Sequence, residues 1–188
     1  KLLQLYKKGY FPMAESANKE KINIYRPELR FVIPINSFHV PKKLFREFKK
    51  NKLRFQVNSN FSEVINNCSL PRIKESSTWI NQIIKNTYIQ LFKEGYAKSI
   101  ECIENDKLVG GLYGIHMGGC FFGESMFSHI NNASKLCLLV LISILKKNNF
   151  TLLDSQFYNQ HLIQFGAKEI TNKIYQFKLK EGLSKNCK

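Results

Sequence analysis

Apolar and polar positions along the chain change period several times, and each change marks an element. The spacing in LLQLYKK predicts a short helix stopped by Gly9, and FPMAESANKEK after it shows no regular pattern. KINIYRPELRFVIPI holds two short strand-like runs divided by Arg26 and Pro27. Pro41 is placed to open the helix PKKLFREFKK, LRFQV reads as a strand, and Asn60 with Glu63 in NFSEVINN approximates a capping box. From Ser76, the residues Trp79, Ile80, Ile83, Ile84, Thr87, Tyr88, Leu91 and Phe92 recur at helical spacing until Gly95. AKSIECIE and KLVGGLYGIH flank an Asn105-Asp106 turn as a hairpin, and CFFGESMFS follows Gly118-Gly119 as a third strand. Ala133 to Lys147 is a strongly apolar helix, TLLDSQF a buried strand, NQHLIQFG a short helix ended by Gly166, and KIYQFKLK a closing strand.

A chain of 188 residues is long enough to bury a sizeable core without disulfides, and its length favours one domain with a small appendage. The apolar runs are too short or too interrupted to cross a bilayer, so no membrane association is expected. Five cysteines, odd in number and without paired metal-type spacing, fit reduced thiols in a reducing cytoplasm. No metal site is visible, and His116, His129 and His161 lack a matched Cys, Ser or carboxylate and read as structural. The first residues form no secretory leader, and a start without Met reads as a trimmed fragment. The balance of 29 basic to 14 acidic residues leaves +15, which points to a polyanionic partner, although a nucleotide-biased genome rich in Lys and Asn codons produces the same excess.

Three features carry candidate chemistry. Gly110, Gly111 and Gly114 weaken one strand; they mark either the close approach of another backbone or a ligand, or a bulge in a meander. Glu124 lies among Phe121, Phe122, Met126 and Phe127, where a carboxylate needs a partner or it protonates. Asp154 and Gln156 are two apart on an expected strand, so both side chains project from one face, as a reactive pair or as a satisfied structural one.

The segment from Leu108 to Lys135, with its LVGGLYG, FFGESMFS and NNASK motifs, and LLDSQ beyond it closely resemble the leucyl/phenylalanyl-tRNA–protein transferase family. Weaker matches at GYFPMAES, FHVPKKL and TWI extend the resemblance over nearly the whole chain. The resemblance and the element order imply an α/β (α+β) protein. A small N-terminal β-containing part over 1–37 would precede a GCN5-related acyltransferase-like (GNAT-like) domain over 38–188. It implies a monomeric enzyme, without cofactor, that moves Leu or Phe from aminoacyl-tRNA to the N-terminal α-amine of proteins beginning with Lys or Arg, feeding N-end-rule degradation. Asp154 and Gln156 would form the reaction centre, with Asp154 orienting Gln156 and Gln156 positioning amine and carbonyl. Leu112, Phe121, Glu124, Leu138, Leu141 and Leu145 would build the aminoacyl pocket, Glu124 holding the ammonium group. Trp79, Tyr25 and Tyr88 would meet the tRNA's 3′-adenosine, and Lys135, Lys42, Lys43 and Arg46 its phosphates. Two alternatives are an acetyltransferase using acetyl-CoA and a nonenzymatic RNA-binding module. Against the first, HINNASK stands where CoA enzymes carry a glycine-rich pyrophosphate loop.

Overall fold

The structure is a computed structural model that describes residues 1–50, 52–71 and 78–187. Helix α1 (Leu2–Lys7) leads into strands β1 (Phe11–Ala14) and β2 (Ile22–Tyr25), which pair antiparallel as a separate two-stranded sheet. The FPMAESANKEK segment, expected to be irregular, therefore opens with a strand: Phe11 and Ala14 are buried, and Ala14 N donates to Trp79 O at 3.3 Å. Strand β3 (Leu29–Ile33) belongs to the first 37 residues in sequence and to the large sheet in space. Next come α2 (Lys42–Lys49), β4 (Arg54–Val57) and α3 (Phe61–Cys68), the last capped by Asn60 as the Asn-x-x-Glu spacing predicts.

Helix α4 (Gln82–Lys93) starts later than the periodicity from Ser76 suggests. Asn81 caps it by accepting from Ile84 N at 2.8 Å, so Trp79 precedes the helix; Ser76 lies outside the described residues. Strands β5 (Ala97–Glu104), β6 (Lys107–Met117) and β7 (Cys120–Ser128) form the expected meander, and α5 (Ala133–Lys147) spans the expected apolar run. The chain closes with β8 (Leu152–Asp154), α6 (Gln160–Ile163), β9 (Lys168–Thr171) and α7 (Asn172–Leu183). KIYQFKLK is thus a helix and the closing strand lies just before it. Thr171 caps α7 from Ile174 N, and Tyr175 and Leu179, four apart, bury one helical face while Ile174 and Phe177 face out.

The seven-stranded sheet runs β4-β5-β6-β7-β8-β3-β9, antiparallel except between β7 and β8. Strand alternation sorts its side chains: Tyr113 and Phe122 pack with α3, α4 and α7, whereas Leu112 and Phe121 pack with α2, α5 and α6. Two irregularities position the site. The parallel pairing of β7 with β8 covers only Cys120 to Phe122 against Leu152 to Asp154. On its other edge, Tyr113 faces Ser125 and Gly114 faces Gly123, which leaves Glu124 as the extra residue of a β-bulge.

The strand glycines admit protein rather than ligand. A Cβ on Gly110 would collide with Ala133 at the head of α5, and one on Gly114 with the Phe122 carbonyl and the Phe121 ring. Gly114→Ala is expected to destabilise the protein by about 1–3 kcal/mol, because backbone lies in the way, and thermal denaturation measures it.

Candidate active site

Where β7 and β8 stop pairing, a cavity of about 190 Å³ opens between them. Its apolar wall includes Leu112 and Phe121 from the sheet and Leu138 and Leu141 from α5; Ile33 and Leu162 extend it. Leu145 is not part of that lining and lies buried one helical turn further along α5. Its polar and aromatic lining includes Glu124, Asp154, Gln156 and Trp79.

The bulge turns Glu124 toward three donors. Gln156 Nε2 donates to Oε1 at 2.9 Å, and Tyr6 Oη lies 2.6 Å from Oε1 and Tyr88 Oη 2.9 Å from Oε2; the two tyrosine oxygens also touch each other, so their two protons serve three close contacts. Burial pushes the Glu124 carboxyl up to about 7, against the opposing pull of those hydrogen bonds. Burial and the neighbouring Glu124 charge hold both phenols well above their usual range, so they stay protonated and serve as donors. Tyr88 is thus fully buried as a Glu124 ligand, and its ring packs edge-on to Tyr113 rather than presenting a face to the cavity.

Asp154 and Gln156 do not share the face of a strand. Strand β8 ends at Asp154, and Gln156 adopts a left-handed backbone with φ 65°. The turn separates their tasks. Gln156 sends its amide to Glu124, whereas the Asp154 carboxylate, 0% exposed, receives Arg30, Tyr175 and the Gln156 backbone. Tyr6, Arg30 and Tyr175 carry no local signal of these roles in the sequence, because their partners lie 118, 124 and 21 positions away.

Trp79 is half-buried at the cavity, near Met13 and Phe157. Tyr25 sits behind Phe157, edge-on to it at 5.7 Å and stacked on Phe11 at 5.9 Å. Lys42, Lys43 and Arg46 are exposed on α2, and Lys43 and Arg46 border a separate groove of about 380 Å³ with Lys50 and Lys52. Lys135 is half-buried on the first turn of α5.

The family model described as Leucyl/phenylalanyl-tRNA protein transferase matches residues 32–180. The leucyl/phenylalanyl-tRNA–protein transferase of Hyphomonas neptunium is 42% identical over 97% of this chain and 70% of its own length. That of Phenylobacterium zucineum is 41% identical over 97% and 83%. The chain belongs to this transferase family. It is accordingly an enzyme of the aminoacyltransferase class. The structure of FemX superposes with a TM-score of 0.52 at 11% identity, covering 94% of this chain and 63% of that one, a likeness of fold alone. The fold is mixed α/β, built on a seven-stranded mixed sheet. At the head of α5, Ser134 N donates to Ser128 Oγ at 2.8 Å, so the chain itself occupies one of the backbone groups that an anion-binding helix start would offer.

Among the described residues no helix is long and apolar enough to cross a membrane, and no group of three or more His, Cys, Asp or Glu is arranged to hold a metal ion.

Proposed function

We propose that the protein moves a leucyl, phenylalanyl or similar bulky apolar aminoacyl group from its tRNA to the N-terminal α-amine of proteins beginning with Lys or Arg. The modified proteins are thereby marked for degradation in the cytoplasm. The observation that carries this reading is the Glu124 carboxylate, aimed by a bulge and bound to Gln156, beside an apolar cavity.

An aminoacyl ester has two parts to recognise there. The apolar side chain fits against Leu112, Phe121, Leu138 and Leu141, with Leu145 supporting the helix behind them. Its α-ammonium group pairs with Glu124. Trp79 offers a half-buried ring for the terminal adenosine, with Tyr25 and Tyr88 bracing the neighbourhood, and one such stacking contact contributes about 1–3 kcal/mol. Phosphates further along the tRNA meet Lys42, Lys43 and Arg46 on α2 and Lys135 on α5.

The ester is already activated, and the attacking amine has an unperturbed pKa of about 7.7–8.0, so roughly a tenth or more of it is free amine at neutral pH without help from a strong base. Its nitrogen forms the new amide bond to the carbonyl carbon, the carbon–oxygen bond to the ribose breaks, and the amine's proton ends on the released hydroxyl. Positioning by Gln156, oriented by Asp154, accounts for the acceleration without a strong base. In this division of labour 1–37 is the smaller part, contributing Tyr6 and Arg30, and 38–188 is the acyltransferase-like part. The enzyme acts as a monomer without cofactor.

The test is transfer of radiolabelled amino acids from a panel of charged tRNAs to peptides with different N-termini. Leu or Phe is expected to move preferentially to Lys- and Arg-initiated peptides. Equal transfer of small polar and large apolar groups would remove the apolar-pocket assignment. An apolar pocket distinguishes neighbouring sizes by only about 1–3 kcal/mol per methylene, so partial transfer of Met is compatible with it.

A further inference from the structure

We infer that Arg30 is the positioning residue of the reaction centre: acting through Asp154, it holds Gln156 in the one backbone conformation that brings its amide to Glu124. The inference rests on the transfer reaction proposed above and adds a residue to it.

The Asp154 carboxylate is saturated from within the protein. Arg30 Nε donates to Oδ1 at 2.9 Å and to Oδ2 at 3.1 Å, Arg30 Nη2 to Oδ2 at 2.6 Å, Tyr175 Oη to Oδ2 at 2.8 Å, and Gln156 N to Oδ1 at 2.8 Å. Neither oxygen is left to accept a proton from an attacking amine. Asp154 therefore acts on the reaction only through what it holds, and of these partners only Gln156 reaches Glu124.

Gln156 needs holding. Its φ of 65° lies in the left-handed region, which costs a residue with a Cβ and persists only where the surroundings enforce it. Two backbone bonds do so: Gln156 N to Asp154, and Phe31 N to Gln156 O at 3.1 Å. Arg30 precedes Phe31 on β3, so the same strand fixes Gln156 twice, once through its backbone and once through the guanidinium.

The guanidinium itself cannot swing away. It is 1% exposed and lies over the rings of Phe11 at 4.6 Å and Tyr175 at 4.5 Å, and its Nη1 donates to Gly9 O at 2.9 Å. Every edge and face is thereby engaged. A lysine has neither the fork for two carboxylate oxygens nor the planar surface for two rings, so Arg30→Lys retains the charge and loses the orientation.

The experiment compares kcat and KM for charged tRNA in the unaltered protein, Arg30→Lys, Arg30→Ala and Tyr175→Phe, with circular dichroism verifying the fold. Arg30→Lys is expected to lower kcat on the order of 10²-fold with KM for the tRNA unchanged, the cost of a small misplacement at the reacting centre. Tyr175→Phe, which keeps the ring and removes one donor to Asp154, should lower kcat by about fivefold, again without a change in KM. Folded Arg30→Ala should recover activity in guanidinium chloride well below denaturing concentration, and not in ammonium chloride of equal ionic strength. A folded Arg30→Lys with unaltered kcat overturns the inference, as does a loss confined to KM or a folded Arg30→Ala that guanidinium does not restore. Should neither Arg30 variant fold, Tyr175→Phe decides it, an unaltered kcat counting against. No transfer by the unaltered protein from any charged tRNA would instead sink the proposed function, a separate result.

Discussion

Transfer is expected to fall as the pH drops through about 7, and Glu124→Gln to remove that limb of the profile. In the proposed reading the carboxylate has to be anionic to pair with the donor's ammonium group, and burial places its protonation near neutrality rather than near the ordinary carboxylate range. The acceptor's α-amine loses activity over a nearby interval, at about 7.7–8.0, so the two limbs overlap in the unaltered enzyme. The variant separates them. Glu124→Gln still accepts a hydrogen bond but offers no charge, and its kcat/KM is expected to fall about 10²- to 10³-fold at neutral pH, with only the amine limb left. Single-turnover transfer across the pH range, with tRNA binding measured alongside, provides the comparison. An unchanged low-pH limb in Glu124→Gln would assign it to another group.

The same burial has a sign in stability. A carboxyl whose folded pKa stands above its unfolded value binds its proton more tightly when folded, so stability is given up as pH rises from about 4.5 to about 7. Glu124→Gln should therefore gain thermal stability relative to the unaltered protein over that rise. The two expected effects point in opposite directions: the burial that weakens the fold at neutral pH would equip the proposed site.

Asp154→Ala is expected to destabilise the protein by about 3–5 kcal/mol, because it leaves the Arg30 guanidinium buried without its carboxylate. For a chain of this length that lowers Tm on the order of 10 °C, which calorimetry resolves. Replacing the pair together discriminates structure from activity. Arg30→Met with Asp154→Leu removes both charges, and apolar replacement of a buried ion pair is often neutral in stability. The double variant should regain most of the lost Tm and none of the transfer, since nothing then holds the Gln156 turn. A double variant no more stable than Asp154→Ala would show that the pair is not the source of the loss.

The elements most legible in the sequence were those whose pattern is local and strong. The meander β5 to β7 and helix α5 each occupy the stretch that their own periodicity marks, and the order of elements together with several separate motifs pointed to the family. KIYQFKLK misled because two apolar positions, Ile174 and Phe177, face solvent on α7, and only the cap at Thr171 with the Tyr175–Leu179 spacing reveals the helix. Trp79, too, fell into a helical period that begins only after Asn81.

At the site, residue types were readable and their relations were not. A glutamate among aromatics and an Asp-x-Gln near the end of an apolar strand announce polar groups that burial must satisfy. Which donors satisfy them depends on pairings between residues more than a hundred positions apart, such as Tyr6 with Glu124 and Arg30 with Asp154, for which local spacing contains no term. Likewise, Glu124 becomes a bulge only through the register of β6 against β7, and Gln156 leaves the face of Asp154 only because β8 ends there. The chain's own pattern settled its secondary structure in outline and which residue types could carry chemistry; the sheet's register and the splitting of β7 from β8 settled which groups meet, because hydrogen bonds are made across space and not along the chain.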